Sequence, residues 1–248
     1  MTSVAKRQRI PTGIPGLDSM LGGGLLETSA VLVSGAPGVG KTTLGMQYLV
    51  NGAQLGQPGL LVTFEEFPAT LIRDAKAMGW DLRALEAEGK LRMLFTSPEV
   101  LVKSLQSPDS PLSETVRNLA PRRVVIDSMA HFLRFATDPV ELRHIFNTLV
   151  NALKREGMTS LLLDEATRLL GAQYRQSGSL PFVVDAILLM RYVEVDSAMQ
   201  RAIAILKMRG SAHASEIRGY SIGQGGIKIG EPFKDREGIL SGSPHRVS

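Results

Sequence analysis

The stretch that decides the fold is Gly35-Ala36-Pro37-Gly38-Val39-Gly40-Lys41-Thr42-Thr43, which matches the pattern G-x-x-x-x-G-K-[ST] at every defined position. The apolar run 31–33 leads into it as a strand, and residues 44–50 leave it as a helix. Glycines let the backbone of such a loop turn its N–H groups toward phosphate oxygens, and the helix N-terminus adds partial positive charge. The sequence therefore predicts a nucleotide-binding loop between a strand and a helix.

Each residue of this loop has an expected role. The expected ligand is ATP or its product ADP. Lys41 would reach the β- and γ-phosphates of ATP, and the Thr42 hydroxyl would bind Mg²⁺. The rest of the loop would surround the phosphates: Gly35, Pro37, Gly38, Val39, Gly40 and Thr43.

Composition is that of a folded chain. The 248 residues are 44% hydrophobic and 21% charged, enough for a sizeable core in one domain over 1–248, with a polar tail from about 238 to 248. No run approaches the roughly 18 apolar residues of a membrane-spanning helix, and the first residues lack the apolar core of a signal peptide. We therefore expect a cytoplasmic protein with no membrane partner.

Residue counts also narrow the chemistry. The chain has no cysteine, which excludes disulfides and thiolate zinc sites, and its four histidines lack metal-ligand spacing. Any metal should be Mg²⁺ brought by the nucleotide. The net charge of +4 suits a polyphosphate ligand as well as nucleic acid, so it does not by itself indicate DNA binding.

Short β-rich segments alternate with helical patterns, which predicts an α/β fold with a mostly parallel sheet flanked by helices. The predicted strands cover 30–35, 59–65, 91–96, 122–127 and 159–164. A further set without intervening helices predicts an antiparallel C-terminal extension of the same sheet: 182–194, 200–208, 216–222 and 226–230.

The clearest helix is predicted from Asp138 to Gly157. Asp138-Pro139-Val140-Glu141 offers an N-cap, a first-turn proline and a capping-box glutamate, and Gly157 ends the helix. The segments 97–112 and 171–181, rich in Ser, Pro and Gly, are interpreted as mobile loops.

Hydrolysis of a nucleotide also needs acids at the carboxyl ends of the neighbouring strands. The run 124–126 ends in Asp127, which matches the second nucleotide-binding motif, and the run 60–64 ends in Glu65 and Glu66. We expect Thr42, Asp127 and Glu65 to face Mg²⁺, and a glutamate of the pair to activate water. The alternatives are a turn-capping Asp127 and a solvated glutamate pair. Asp164-Glu165 ends another strand and is interpreted as structural.

The order of these motifs resembles the KaiC-like branch of the RecA-type P-loop ATPases over nearly the whole chain. The matching segments are Thr12-Gly13-Ile14-Pro15-Gly16-Leu17-Asp18, Leu21-Gly22-Gly23-Gly24-Leu25, the phosphate loop, Phe64-Glu65-Glu66, Ile126-Asp127-Ser128, Tyr192-Val193-Glu194, Lys207-Met208-Arg209-Gly210-Ser211 with His213, and Ser241-Gly242-Ser243-Pro244.

This resemblance implies a RecA-like core and an ATPase whose catalytic acids are Glu65 and Glu66. It also implies a homo-oligomeric ring, usually a hexamer, in which Lys207-Met208-Arg209 reaches the ATP site of the adjacent subunit. The resemblance places Arg201, Ser211 and His213 near that shared nucleotide as well. A positive charge near the γ-phosphate stabilises the transition state, which would make Lys207 and Arg209 catalytic. The alternative is a solvated strand end with two basic residues.

Two departures from the family limit what the resemblance implies. The best-known member carries two such ATPase units in tandem, whereas this chain carries one, so we expect no double ring within the polypeptide. That member also phosphorylates adjacent hydroxyls, but the positions that match here are Pro181 and Phe182. Autokinase activity is therefore doubtful unless Ser177 or Ser179 is presented instead.

Three functional classes follow from the sequence. The favoured one is an ATP-hydrolysing regulatory ring, with a regulatory protein as a possible partner. The second is a recombination-type ATPase that binds nucleic acid, although the aromatic residues are 5% of the chain and scattered. The third is a non-catalytic or clock-related scaffold that binds ATP to assemble, against which the acids Glu65, Glu66 and Asp127 argue.

Overall fold

The computed structural model describes residues 8–107, 109–136, 138–165, 180–234, 236–239 and 245–246. The strands in these ranges are β1 (Arg9–Ile10), β2 (Leu25–Leu26), β3 (Ala30–Gly35), β4 (Gly59–Thr63), β5 (Leu91–Phe95), β6 (Arg123–Asp127), β7 (Thr159–Glu165), β8 (Ala186–Val195), β9 (Ala198–Met208), β10 (Arg218–Gly223), β11 (Gly226–Pro232), β12 (Arg236–Glu237) and β13 (His245–Arg246). The helices are α1 (Leu17–Met20), α2 (Lys41–Gln54), α3 (Pro68–Ala77), α4 (Leu82–Ala87), α5 (Pro98–Gln106), α6 (Pro111–Leu119), α7 (Phe132–Phe135), α8 (Pro139–Arg155) and α9 (Leu180–Val183), with a 3-10 turn at Met129–His131.

One nine-stranded sheet organises these elements, in the order β11-β10-β9-β8-β3-β7-β6-β4-β5. The six strands from β8 to β5 in this order pair in parallel, and β9, β10 and β11 continue the sheet in antiparallel fashion. The predicted RecA-like P-loop core with an antiparallel C-terminal extension is confirmed. The first strand of the extension, β8, is itself parallel to β3.

Two apolar cores cover the two faces of the sheet, because successive side chains of a strand point in opposite directions. Val31 and Val33 face the core that includes α2, whereas Ala30 and Leu32 face the core that includes α8. All six residues of β3 are consequently buried. The strand that carries the phosphate loop therefore lies at the centre of the molecule, where packing on both sides fixes its end.

The prediction of a loop over 97–112 is wrong, because α5 and the start of α6 occupy most of this segment. Ser97 and Ser110 are N-caps whose side chains accept hydrogen bonds from Val100 N and Ser113 N, and a proline follows each cap. Ser-Pro therefore starts a helix at two places in this segment. The same residues are common in turns, so composition alone does not separate a helix start from a loop.

The boundaries of two other predicted segments also change. The strand predicted over 182–194 begins only at Ala186, because residues 180–183 form α9. Most of the loop predicted over 171–181 lies outside the described residues, as do Ser177 and Ser179.

The helix predicted from Asp138 is confirmed as α8. Asp138 Oδ2 accepts a hydrogen bond from Glu141 N at 2.9 Å, and Gly157 has a φ of 73° just past the helix end. Within the described part of the chain, no helix combines the length and the apolar character that crossing a membrane requires.

Candidate nucleotide-binding site

The candidate site is a cleft of about 620 Å³ at the carboxyl ends of the parallel strands. Strand register builds it: Gly35 at the end of β3 pairs with Glu165, and Thr63 at the end of β4 pairs with Asp127. The phosphate loop lies at the mouth of this cleft, as expected for a ligand site in a parallel α/β sheet.

Lys41 is held by the loop that it would serve. Its Nζ donates hydrogen bonds to the carbonyl oxygens of Gly35 and Ala36, both at 3.0 Å. Burial lowers the pKa of Lys41, and the nearby carboxylates of Glu165, Asp127 and Asp164 oppose this effect. A polyphosphate bound in this loop would place its negatively charged oxygens next to the largely buried ammonium group.

Two glycines of the loop cannot be replaced without strain. Gly40 has a φ of 101°, and a Cβ there would lie 2.5 Å from Ile222 Cδ1. A Cβ on Gly35 would lie 2.4 Å from the carbonyl oxygen of Met190. The loop therefore depends on close backbone approach, which is the property predicted from its glycines.

Two tyrosines from the C-terminal extension hold the loop from the other side. Tyr192 Oη donates to the carbonyl oxygen of Gly38, and Tyr220 Oη donates to that of Val39, both at 2.7 Å. These side chains come from β8 and β10, more than 150 positions along the chain from the loop. Sequence reasoning missed their role in the loop, because nothing local to either tyrosine indicates this contact.

Thr42 and Asp127 form the candidate Mg²⁺ site. Thr42 Oγ1 donates to Asp127 Oδ2 at 2.6 Å. Burial raises the pKa of Asp127, while the hydrogen bond from Thr42 and the charge of Lys41 act in the opposite direction. Hydroxyl and carboxylate oxygens are the donors that Mg²⁺ prefers, so these residues fit the ion. The described residues contain no cluster of three or more His, Asp or Glu side chains placed to hold a metal, so phosphates and water would complete its shell.

The glutamate pair follows β4 and differs in environment. The Glu65 side chain is 75% exposed, and its Oε2 lies 3.1 Å from His131 Nε2. Glu66 is held through its backbone, whose carbonyl accepts from Thr63 Oγ1 at 3.0 Å. The pKa of Glu66 is raised, mainly by burial and further by the neighbouring carboxylates of Asp127, Asp74 and Glu65.

Sequence reasoning missed two further residues of the cleft. His131 sits on the 3-10 turn after Asp127, where its ring packs against Phe64 with a centroid distance of 5.9 Å. Glu165, interpreted as structural from the sequence, lines the cleft, and among the nearby carboxylates it acts most strongly to raise the pKa of Lys41. The sequence does show that Glu165 ends a strand. That this strand lies next to β3 is known only from the strand order in the structure.

The predicted basic residues divide between the two ends of the sheet. Arg201 lines the same cleft as the phosphate loop, with its guanidinium 5.4 Å from the centroid of the Tyr192 ring. Met208, in contrast, is in register with Ala186 and through it with Val31, four residues before Gly35. At about 3.3 Å per residue, that places it roughly 13 Å back along the strands.

Lys207 and Arg209 flank Met208 and both contact the region of α9. Lys207 Nζ donates to the carbonyl oxygens of Pro181 and Val184 at 2.8 and 2.7 Å, and Arg209 Nη2 donates to that of Phe182 at 3.0 Å. Both cations therefore lie on the side of the molecule that carries α9, and Arg209 itself follows the strand in a turn.

Ser211 and His213 lie beyond the same end of β9. Ser211 Oγ accepts from Arg9 Nη2 at 2.5 Å, and His213 Nδ1 lies 2.9 Å from the carbonyl oxygen of Ala214. Within one chain, the structure thus brings together Lys41, Thr42, Glu65, Glu66, Asp127 and Arg201. It does not bring Lys207, Met208, Arg209, Ser211 or His213 to that cleft.

Known proteins are similar to this chain over most or all of its length. The family model described as "ATPase: KaiC" matches residues 10–234. "Circadian clock oscillator protein KaiC" of a Picosynechococcus strain is 35% identical over 250 residues, which cover 100% of this chain and 48% of the relative. "Circadian clock protein KaiC3" of a Synechocystis strain is 35% identical over 95% of this chain and 46% of the relative. The protein of Thermosynechococcus vestitus that shares the first name is 34% identical over 100% of this chain and 47% of the relative.

The chain spans about half the length of the curated relatives it matches. The family match covers the phosphate loop, the acids after β4 and β6, and the basic segment at the end of β9. The resemblance in the sequence motifs, the nine-stranded sheet and the family match agree: the chain belongs to the KaiC family of RecA-type ATPases.

Proposed function

We propose that this chain binds ATP with Mg²⁺ and hydrolyses it to ADP and phosphate. The observation that carries the proposal is the convergence of Lys41, Thr42, Asp127 and the Glu65-Glu66 pair on one cleft at the carboxyl ends of the strands. A cation, a metal-type oxygen pair and a base are the groups that phosphoryl transfer to water requires.

The loop and its neighbours would bind and orient the nucleotide. Lys41 would exchange its hydrogen bonds to the loop carbonyls for phosphate oxygens, and the loop N–H groups would surround the phosphates. Thr42 and Asp127 would hold Mg²⁺, which when bound neutralises negative charge on the phosphates. Arg201, in the same cleft, adds a cation from the same chain.

The glutamate pair would place the attacking water. The raised pKa of Glu66 makes its carboxylate a better proton acceptor once it is ionised, so Glu66 would accept the proton from water. Glu65, contacted by His131, would orient the water from the other side.

Removing the two charges tests this role. In Glu65→Gln with Glu66→Gln, volume and hydrogen bonding are retained, so ATP should still bind while turnover falls by roughly 10² or more. Equilibrium binding of a labelled nucleotide and phosphate release measure the two quantities. Glu194→Gln, which changes an exposed glutamate on β8, is the matched control and should keep full turnover. Unchanged turnover in the double variant would assign the base elsewhere, with Glu165 the next acid in the cleft.

We further propose that the nucleotide is shared between adjacent copies in a ring, a hexamer as the family implies. Lys207 and Arg209 lie at the end of the sheet opposite their own phosphate loop, so they would serve a neighbour's nucleotide. Met208, Ser211 and His213 would approach the same nucleotide with them. In other enzymes an arginine supplied in this way accelerates hydrolysis by roughly 10³ to 10⁵.

The names of the relatives suggest a regulatory use for this activity. Each is named as a circadian clock protein, and each is about twice as long as this chain. We propose that the ring changes conformation with its nucleotide state and presents that state to a regulatory protein partner.

A further inference from the structure

Exposed aromatic side chains lie at opposite ends of the sheet, a stacked pair at one end and a single phenylalanine at the other. We propose that Phe182 of one subunit packs against the stacked pair Phe67 and Phe95 of the next, forming an aromatic contact beside the shared nucleotide. This inference rests on the proposed ring and identifies which surfaces meet in it.

The stacked pair lies at the carboxyl end of the sheet. Phe67 directly follows Glu66, and Phe95 is the last residue of the edge strand β5. Their rings lie 4.5 Å apart at an interplanar angle of 29°, yet the two residues are 62% and 43% exposed. A stacked aromatic pair left facing water is the kind of apolar surface that an interface covers.

The single phenylalanine lies at the amino end of β8. Phe182, on α9, is 68% exposed. Its carbonyl oxygen accepts a hydrogen bond from Arg209 Nη2 at 3.0 Å, and Lys207 Nζ binds the adjoining carbonyl of Pro181. Phe182 is therefore tied to the two cations that the proposed function places in the neighbour's cleft.

These ties determine where Phe182 would arrive. When Lys207 and Arg209 approach the phosphates of the next subunit, Phe182 enters the same cleft from the same side. The acids Glu65 and Glu66 line that cleft, and Phe67 is the next residue of the chain.

Charge and symmetry both favour a second copy of this chain as the partner that covers the stacked pair. Carboxylates adjoin the stacked pair and cations adjoin Phe182, so the two surfaces are complementary in charge as well as in apolar character. Because the surfaces lie at opposite ends of each molecule, their contact is head-to-tail, the kind that closes into a ring.

Cross-linking between two single-cysteine variants tests the contact, and the natural chain contains no cysteine that would interfere. Phe67→Cys and Phe182→Cys proteins are mixed with ATP and Mg²⁺, allowed to exchange subunits, and treated with a short bismaleimide. We expect cross-linked dimers in the mixture and almost none from either protein alone. Val140→Cys is the matched control for Phe67→Cys: it is 76% exposed on α8, and it should not cross-link to Phe182→Cys.

A second variant measures the contribution of the contact to assembly. Phe67→Ser with Phe95→Ser should raise the concentration for half-assembly by roughly tenfold or more, the scale of losing an aromatic interface anchor. Light scattering of the unsubstituted protein with ATP and Mg²⁺ separates this inference from the proposed function. A monomer there overturns both. Two results would overturn the aromatic contact alone. In the first, a ring forms but positions 67 and 182 cross-link no better than the Val140 control. In the second, the serine substitutions leave the concentration for half-assembly unchanged.

Discussion

At the scale of the residue, Asp127 combines burial with a proposed role, the binding of Mg²⁺, that requires its carboxylate to be charged. Its carboxylate lies at the end of β6, bound by Thr42, and burial raises its pKa. An ionised carboxylate at such a position costs folding free energy, which Mg²⁺ and nucleotide would recover on binding.

Asp127→Asn should therefore stabilise the nucleotide-free protein while abolishing hydrolysis. Because the folded pKa is raised, wild type loses stability as the pH rises above about 4, where the unfolded carboxyl ionises first. The advantage of the variant should be absent below that pH and grow as the pH increases. Urea unfolding at several pH values between about 4 and 8 measures it. A difference that shrinks with rising pH would contradict the assignment.

His131 offers a second residue-scale prediction, because it is the hydrogen-bond partner that the structure shows for the exposed Glu65 carboxylate. His131→Ala should lower kcat by about tenfold with little change in ATP affinity, the scale expected when one group that positions water is loosened. His131→Gln, whose Nε2 has a similar reach, should recover part of the loss.

A double-mutant cycle separates this role from a general loss of structure. In the Glu65→Gln background, His131→Ala should have little further effect on turnover, since the group it positions is already altered. Equal effects of His131→Ala in both backgrounds would show that the histidine does not act through Glu65.

How well single residues could be predicted depends on whether their signal is local. The loop from Gly35 to Thr43, Asp127 and the Glu65-Glu66 pair follow from patterns contained in a few adjacent positions. His131 and Glu165 reach the cleft only because β7 pairs with β3 and β6 pairs with β7. That order is a tertiary property, so a single sequence contains no local sign of it.

At the scale of the element, the hairpin of β10 and β11 closes over the phosphate loop. Ile222 packs near Gly40, Tyr220 Oη binds the carbonyl of Val39, and Gln47 of α2 binds the backbone of Ile227. The antiparallel extension therefore supports the site as well as extending the sheet.

Tyr220→Phe tests this support. Removing the hydroxyl leaves the carbonyl of Val39 without that donor, so nucleotide affinity should fall several-fold and stability by about 1 kcal/mol. Tyr48→Phe is the matched control, because its hydroxyl donates to Thr159 O at 3.2 Å in the core of the protein. It should lose similar stability and keep its affinity, as measured by calorimetric titration and urea unfolding. Equal losses of affinity in both variants would show a general effect of destabilisation instead.

The sequence predicts the type and the bounds of some elements more accurately than those of others. The helix α8 was predicted correctly because its cap, its apolar face and its terminal glycine agree. The sequence predicts a loop at α5 and at the first residues of α6, because short helices that begin at Ser-Pro share their composition with turns. The strand β8 was predicted too long at its start, since the apolar residues of α9 precede it without a break.

At the scale of the whole molecule, the two halves of the proposed site lie at opposite ends of one sheet. The phosphate loop, the acids and Arg201 share one cleft, while Lys207 and Arg209 lie against α9 at the other end. A second copy placed head-to-tail would complete the site, and the activity would then belong to the assembly.

Mixing two inactive variants tests this claim most directly. Arg209→Ala lacks the cation offered to the neighbour, and Lys41→Ala lacks the cation of the phosphate loop, so each alone should be nearly inactive. Arg155→Ala, which changes an exposed arginine of α8, is the control and should retain turnover.

Phosphate release from the mixed variants, after subunit exchange is demonstrated, is the decisive measurement. We predict that activity reappears in the mixture and grows with protein concentration, because some interfaces then pair an intact loop with an intact Arg209. Activity no greater than the sum of the two separate proteins would contradict the account, and Arg209 would then act within its own subunit or not at all.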